Sequence, residues 1–124
     1  MNKAKGFTLI ELVIVIAILG VLAAIAIPKF IDLSDDALQA SKKGMSGAVK
    51  SSHAIAIADL KTFPTVTQLG TYVNGDGIVA VATGIQVDID GTNYIVPTYT
   101  DSACTTATAA VGNSVQCVGT IPHP

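Results

Sequence analysis

A single carboxylate lies within an apolar run near the amino terminus of this chain. Between residues 7 and 27, only Thr8, Glu11 and Gly20 interrupt the apolar side chains. A carboxylate in the hydrocarbon of a membrane costs on the order of 2.5–3.5 kcal/mol on insertion scales, so it normally has a partner. The chemistry that Glu11 offers is therefore ion pairing with a cation.

The short leader before the run differs from an ordinary secretory signal. The leader, MNKAKG, is basic, and its small residue, Gly6, comes before the apolar run. An ordinary signal has its small-residue cleavage site after the apolar centre. A cut after Gly6 would keep the apolar run and create a new amino-terminal amine at Phe7.

Two cationic partners are possible for Glu11. The amine of a processed Phe7 would lie one helical turn before Glu11, and positions i and i+4 share a helix face. The same amine on a neighbouring subunit would serve as well once helices pack together, and it would then set the axial register of the incoming subunit. A carboxylate near a helix amino terminus also gains from the helix dipole.

The apolar run has the length and the flanks of a membrane span. A helix over Phe7–Ile27 is about 31 Å long at ~1.5 Å per residue, and the hydrocarbon core of a bilayer is about 30 Å thick. Lys3 and Lys5 precede it, and the acid-rich stretch Asp32–Asp36 follows. Lysines on the amino-terminal side keep that side cytoplasmic, so the rest of the chain is expected outside.

The two cysteines, Cys104 and Cys117, form an isolated pair late in the chain. They lack a CxxC arrangement and have no histidine at ligand spacing, which argues against a metal site. An even pair in an oxidising compartment predicts a disulfide. Closing this loop would contribute ~3 kcal/mol to stability in the chain-entropy model.

No arrangement for catalysis or cofactor binding stands out in the sequence. It has two histidines, His53 and His123, and no Ser-His-Asp, Cys-His, paired-carboxylate or phosphate-cradling pattern. The stretch Asp88–Asn93 superficially resembles a calcium loop, but it lacks the distal glutamate and a hairpin explains it. Seven lysines, no arginine and a formal charge of −2 argue against a direct nucleic-acid site. We expect neither an enzyme nor a metal or cofactor.

A second stretch of helix is predicted beyond the span. Apolar residues recur at roughly helical spacing up to Leu60, and the sequence KTFP then ends the helix because Pro64 restricts the residue before it. Pro28 lacks an amide proton and Gly20 is a poor helix former, so the helix is weakest between them. The predicted apolar stripe comprises Ile31, Leu38, Met45, Val49, Ile55, Ile57 and Leu60, with Lys42, Lys43 and Lys50 mostly off it.

From Gly70 onward the pattern predicts strands. Residues 77–84 and 85–97 are β-rich, and Asp90-Gly91 between alternating residues predicts a hairpin. A last strand is expected at 115–118. The hairpin would place on the helix-facing side Ile85, Val87, Ile89, Thr92, Tyr94 and Val96. The expected fold class is α+β: a long helix on an antiparallel sheet of three to four strands, with a carboxy-terminal disulfide loop.

Four features occur together in GFTLIELVIVIAILGVLAAIAIP: Gly6 before the cut, Phe7 after it, Glu11 four residues on, and Pro28 closing the run. This combination resembles the class III signal of type IV pilins. The resemblance implies cleavage after Gly6 by a prepilin peptidase and methylation of the Phe7 amine. It also implies that Gly20–Pro28 unwinds in the assembled fibre, with a simple kink as the alternative. The following PKFIDLSDDALQASKKGMSGAV is similar to pilins of the mannose-sensitive haemagglutinin group.

The resemblance implies a major pilin, with adhesion, motility or DNA uptake as uses of its fibre. Residues 1–6 would be the removed leader, 7–27 the membrane and filament-core helix, and 28–124 a head that is first periplasmic and then extracellular. The implied partners are identical subunits, the prepilin peptidase, the assembly machinery and the inner membrane before assembly. A pseudopilin of a type II secretion system shares the leader. A membrane-anchored sensor or binding protein is the alternative from another class.

Overall fold

The computed structural model describes residues 4–123, so Met1–Lys3 of the predicted leader lie outside the described residues. Its regular elements are α1 Leu9–Leu60, α2 Val66–Tyr72, β1 Val79–Val81, β2 Gly84–Ile89, β3 Thr92–Tyr99 and β4 Cys117–Val118. Backbone contacts divide the chain into two compact units, the first ending at Ala37 and the second beginning at Leu38. α1 contributes residues to both units.

α1 is helical without interruption through Gly20 and Pro28. It ends at Leu60, which confirms the predicted end. The next residue, Lys61, has a φ of 59°, the left-handed conformation that often follows the last turn of a helix. The predicted loss of helical order at Gly20–Pro28 concerns the fibre and stays a prediction.

One face of α1 packs on the sheet in the second unit. The buried residues of this face are Lys42, Ser46, Val49, Ser52 and Ala56. The predicted stripe is therefore confirmed at Val49 and wrong at Ile55, which is 59% exposed. In the first unit, Ile31 is likewise exposed. Three of the five buried residues of this face are serine or alanine, and hydropathy alone does not distinguish such a face from a solvated one.

Lys42 is the clearest departure from the predicted stripe. It was expected off the buried face, yet it is 5% exposed. Its Nζ lies 4.7 Å from the centre of the Tyr94 ring, a cation–π arrangement. Because the apolar stem of a lysine can pack along a protein surface while its charged end stays satisfied, this residue tolerates a position that its charge alone would forbid.

The four strands form an antiparallel sheet in the order β1-β2-β3-β4. The predicted hairpin is confirmed, with the facing pairs Ile85–Val96, Val87–Tyr94 and Ile89–Thr92. Its two turn residues, Asp90 and Gly91, have φ of 53° and 76°, as a type I′ turn requires. The core of this unit comprises Val49, Val66, Leu69, Val73, Ile85, Val87, Val96, Val115, Val118 and Ile121.

The region between α1 and the sheet differs from the prediction because it contains the short helix α2. Thr65 caps this helix: the Gln68 N–H donates to Thr65 Oγ1 at 3.2 Å, and the Thr65 N–H donates to Gln68 Oε1 at 2.9 Å. This reciprocal pair is a capping box. Its T-x-x-Q signature stands in the sequence just before an apolar residue, and it was the signal that could have revealed α2.

The last strand is shorter than predicted. Of the predicted residues 115–118, Cys117 and Val118 pair with β3. Val115 is fully buried, but its N–H donates to the carbonyl of Pro64 at 2.8 Å instead of joining the sheet. The Val115 carbonyl lies 2.8 Å from Nε2 of His53, so this half-buried histidine of α1 contacts the carboxy-terminal segment.

Candidate functional site

Glu11 takes part in a capping box at the start of α1. The backbone N–H of Thr8 donates to Glu11 Oε2 at 2.8 Å, and the backbone N–H of Glu11 donates to Thr8 Oγ1 at 3.3 Å. Thr8 thus caps the helix and Glu11 occupies its third position. The T-x-x-E signature was present in the sequence, so the contribution of Thr8 could have been found there.

This box gives the Glu11 carboxylate a partner within its own chain while Phe7 has no free amine. Here Gly6 is joined to Phe7, so the nitrogen of Phe7 belongs to an amide and carries no charge. The Phe7 side chain is 94% exposed. The structure brings Thr8 and Glu11 together, and the pairing of Glu11 with a Phe7 amine stays a prediction.

The first unit exposes a long apolar surface. Its large apolar side chains from Leu9 to Leu33 are 45–82% exposed. An 18-residue stretch of α1 has a mean hydropathy of 3.0, so this helix is long and apolar enough to cross a membrane. An apolar surface of this size is covered by lipid or by protein in a functioning molecule.

The second unit carries the predicted Cys104–Cys117 disulfide. The bond joins the turn after β3 to β4 and closes a loop that includes the buried Thr108. Thr108 Oγ1 lies 2.7 Å from Thr98 Oγ1 on β3, and its N–H donates to the Thr98 carbonyl at 3.0 Å. The loop is therefore attached to the sheet by hydrogen bonds as well as by the covalent link.

Replacing both cysteines, Cys104→Ser with Cys117→Ser, should lower the free energy of unfolding by about 3 kcal/mol, because the open chain regains loop entropy when it unfolds. Thermal denaturation of the full chain in detergent, followed by circular dichroism, measures this loss. Treatment with a reductant should lower the melting temperature of the unsubstituted chain and leave that of the double variant unchanged. A reductant that alters neither protein would contradict the prediction.

Asp101 organises the first turn of this loop. Its carboxylate accepts hydrogen bonds from Thr105 Oγ1 at 2.6 Å, from the Thr106 N–H at 2.7 Å and from the Thr105 N–H at 3.0 Å. The Thr105 hydroxyl, and then the Thr106 amide, hold the pKa of Asp101 below its ordinary value of 3.8. The charged carboxylate is thus the form that orders the turn.

Acid should therefore loosen this turn. A carboxyl whose pKa is lower in the folded state stabilises that state above its ordinary pKa, and the effect disappears as the pH falls through the folded-state pKa. Amide hydrogen exchange at Thr105 and Thr106 should accelerate as the pH falls below 3.8, after correction for the intrinsic exchange rate. In Asp101→Asn the corrected rates should be higher at neutral pH and independent of this titration. Equal pH dependence in the two proteins would refute the assignment.

The chain combines a small α+β unit that has a disulfide loop with an exposed apolar helix that begins at the Thr8–Glu11 capping box. These features define a subunit that is anchored or assembled through its amino terminus. The amino-terminal segment matches the family model of the prokaryotic N-terminal methylation motif over residues 1–27. The type IV major alpha-pilin of Moraxella bovis is 33% identical, over 94% of this chain and 74% of that protein. The fimbrial protein EcpC of Eikenella corrodens is also 33% identical, with the same coverage. The chain therefore belongs to the type IV pilin family.

A further relative supports the same assignment over a shorter stretch. The type IV narrow pilus major component PilA5 of Thermus thermophilus is 51% identical over 60% of this chain, and the match spans 63% of its own length. No solved structure matches the chain. These relatives are named as pilus and fimbrial proteins, so the family is one of structural pilus subunits and the pseudopilin alternative is not favoured. Membership of the mannose-sensitive haemagglutinin group stays a prediction.

Proposed function

We propose that this chain is the major subunit of a type IV pilus. It is made as a precursor that the apolar helix anchors in the inner membrane, with its amino terminus in the cytoplasm. A prepilin peptidase cuts after Gly6, and the Phe7 amine is methylated. The observation that carries the proposal is the long exposed apolar surface of α1, which over residues 9–27 contains a single carboxylate, Glu11, near its start.

Cleavage changes the charge at this end of the helix. Hydrolysis of the Gly6–Phe7 peptide bond releases the leader and converts the uncharged amide nitrogen of Phe7 into a cationic amine. Glu11 then has two competing partners, the Thr8 amide of its own chain and an amine. In apolar surroundings the cationic amine is favoured over the neutral Thr8 amide, because two opposite full charges attract each other strongly where little solvent screens them.

The amine that Glu11 binds would belong to the neighbouring subunit in the fibre. Moving the apolar helix from lipid into a bundle of identical helices changes its apolar burial little. Packing, charge pairing and the assembly machinery therefore decide whether the subunit stays in the membrane or enters the fibre. A carboxylate that requires an amine from the next chain would fix the axial register between subunits. The remainder of the chain, residues 28–124, would form the periplasmic and later extracellular head.

Analysis of sheared surface fibres tests this proposal. Their subunits should begin at Phe7 and carry one added methyl group by mass spectrometry, and cells that lack the chain should lose the fibres. Loss of a secreted enzyme without loss of fibres would indicate a pseudopilin instead. A chain that retains Met1–Gly6 at the surface would indicate a membrane-anchored sensor. Cryo-electron microscopy of the fibres would also report whether Gly20–Pro28 remains helical.

A further inference from the structure

A groove of about 460 Å³ lies beside Lys42 in the second unit. Ile95, Pro97 and Ile121 supply apolar lining, and Asn93 and Tyr94 also contribute to it. Ile95 is 41% exposed, so an approaching molecule can reach this lining. We call this feature the Lys42 groove.

Hydrogen bonds and packing hold the groove in place within the single subunit. The Ile121 N–H donates to Ser46 Oγ of α1 at 2.9 Å, which fixes the carboxy-terminal segment against the helix. One helical turn before Ser46 on the same face, Lys42 is held with its Nζ over the Tyr94 ring. The groove therefore combines a positioned cation with apolar walls, and its occupant should combine apolar side chains with a carboxylate.

One exposed segment of α1 carries several side chains of both kinds. Phe30, Ile31 and Leu33 are 70%, 58% and 62% exposed. The exposed acids of the same segment are Asp32, Asp35 and Asp36. Nearer the amino terminus the described part of the helix has only Glu11 as an acid, and Thr8 already binds that residue.

We propose that the segment Phe30–Asp36 of a neighbouring copy binds in the Lys42 groove. Its apolar side chains lie against Ile95 and Pro97, and one of its carboxylates faces the Lys42 ammonium. Charge complementarity selects this occupant, because the groove presents a cation and the segment presents acids. The inference rests on the proposed function, since it requires copies of the chain assembled side by side.

Cross-linking in assembled fibres tests the contact. Cells would produce Asn93→Cys subunits together with Leu33→Cys subunits, and sheared fibres would be treated with a short bismaleimide, which joins free thiols and spares the native disulfide. A covalent dimer is expected. The matched control replaces Asn93→Cys by Asn74→Cys, an exposed asparagine that does not line the groove, and should give about tenfold less dimer.

A second pair of variants tests the groove without new thiols. Ile95→Asp places a carboxylate in the groove, where it repels the acids of the neighbouring segment, whereas Val79→Asp places one on β1 at a comparably exposed apolar position outside the groove. Fibre yield should fall about tenfold or more for Ile95→Asp, because an apolar contact of one side chain is worth at least this factor in association. Val79→Asp should assemble like the unsubstituted chain, and both should melt at the same temperature in detergent.

Three results would overturn the inference: fibres that form without the Asn93–Leu33 dimer, fibres of normal yield from Ile95→Asp, or an equal loss for both aspartate variants. Failure of the proposed function would look different, since the unsubstituted chain would then form no fibres at all. If Ile95→Asp has a lower melting temperature than the unsubstituted chain, the cross-linking result alone tests the inference. Asn93 and Leu33 are exposed, so their replacement leaves the core intact.

Discussion

Cells that produce Glu11→Gln or Glu11→Ala in place of the unsubstituted chain should lack surface fibres, although the leader should still be removed. Glutamine at this position can accept the Thr8 N–H and so preserves the capping box, but it removes the charge. Alanine removes both. If Glu11 acts by pairing with an amine, the two variants should fail alike, because an amine buried without its partner costs about 3–5 kcal/mol per subunit.

A third variant separates the charge from the cap. Thr8→Val keeps the Glu11 carboxylate and removes the hydroxyl that accepts the Glu11 N–H. It should cost the helix about 1 kcal/mol, the usual value of a lost cap, and should still support fibres. Electron microscopy counts the fibres, immunoblotting measures the subunit, and mass spectrometry confirms the cut after Gly6.

The pattern across the three variants decides which role is correct. Normal fibres from Glu11→Gln would mean that the residue serves only as a cap, and the pairing proposal would be wrong. Loss of fibres in Thr8→Val as well as in Glu11→Gln would mean that assembly requires the cap in addition to the charge. An uncleaved Glu11→Gln chain would assign the residue to recognition by the peptidase rather than to assembly.

Most of the features that local sequence determines were predicted correctly; the exception is α2, whose T-x-x-Q capping signature was not used. The β2–β3 hairpin follows from a two-residue Asp90-Gly91 turn between alternating residues, and the turn alone fixes which side chains face each other. The end of α1 follows from a proline four residues beyond Leu60. The Cys104–Cys117 disulfide joins the only two cysteines of the chain. Each of these features depends on neighbours in the sequence or on a single pairing.

The features that depend on tertiary contacts were missed. Lys42 is buried because Tyr94, more than fifty residues away, provides a ring for its ammonium. No pattern within α1 contains that information. Ser46 is buried for a similar reason, since its Oγ accepts the N–H of Ile121 in the distant carboxy-terminal segment. The helix stripe was therefore only partly predictable from hydropathy.

The candidate site divides in the same way. Its residues, from Gly6 to Pro28, could be named from the sequence because their spacing along one helix is a linear pattern. The capping partner Thr8 was also visible in that pattern. The proposed amine partner of Glu11 is different, because an amine from a neighbouring subunit depends on how separate chains pack, and a single chain does not contain that geometry.

Gly84→Ala should destabilise the second unit severely, whereas Gly44→Ala should stabilise it. A Cβ at position 84 would lie 2.1 Å from the carbonyl oxygen of Val96 and 3.0 Å from its carbonyl carbon. These are backbone atoms of the facing strand, where Gly84 pairs with Pro97, so relief requires β2 and β3 to separate. We expect a loss of about 3 kcal/mol or more, the upper range for overpacking a folded interior.

Gly44 provides the matched control because it is also a glycine in regular structure, but a Cβ at its position would have no neighbouring atom within 4 Å. Replacing a helical glycine with alanine adds about 1 kcal/mol of stability in an exposed helix interior. In detergent, the melting temperature of Gly44→Ala should rise by about 4–8 °C, the shift that 1 kcal/mol gives in a unit of this size. The melting temperature of Gly84→Ala should fall by more than this amount, while the helical circular dichroism of the apolar part of α1 persists. Similar melting temperatures for the two variants would show that β2 can move away from Val96 at little cost, and the packing argument for Gly84 would then be wrong.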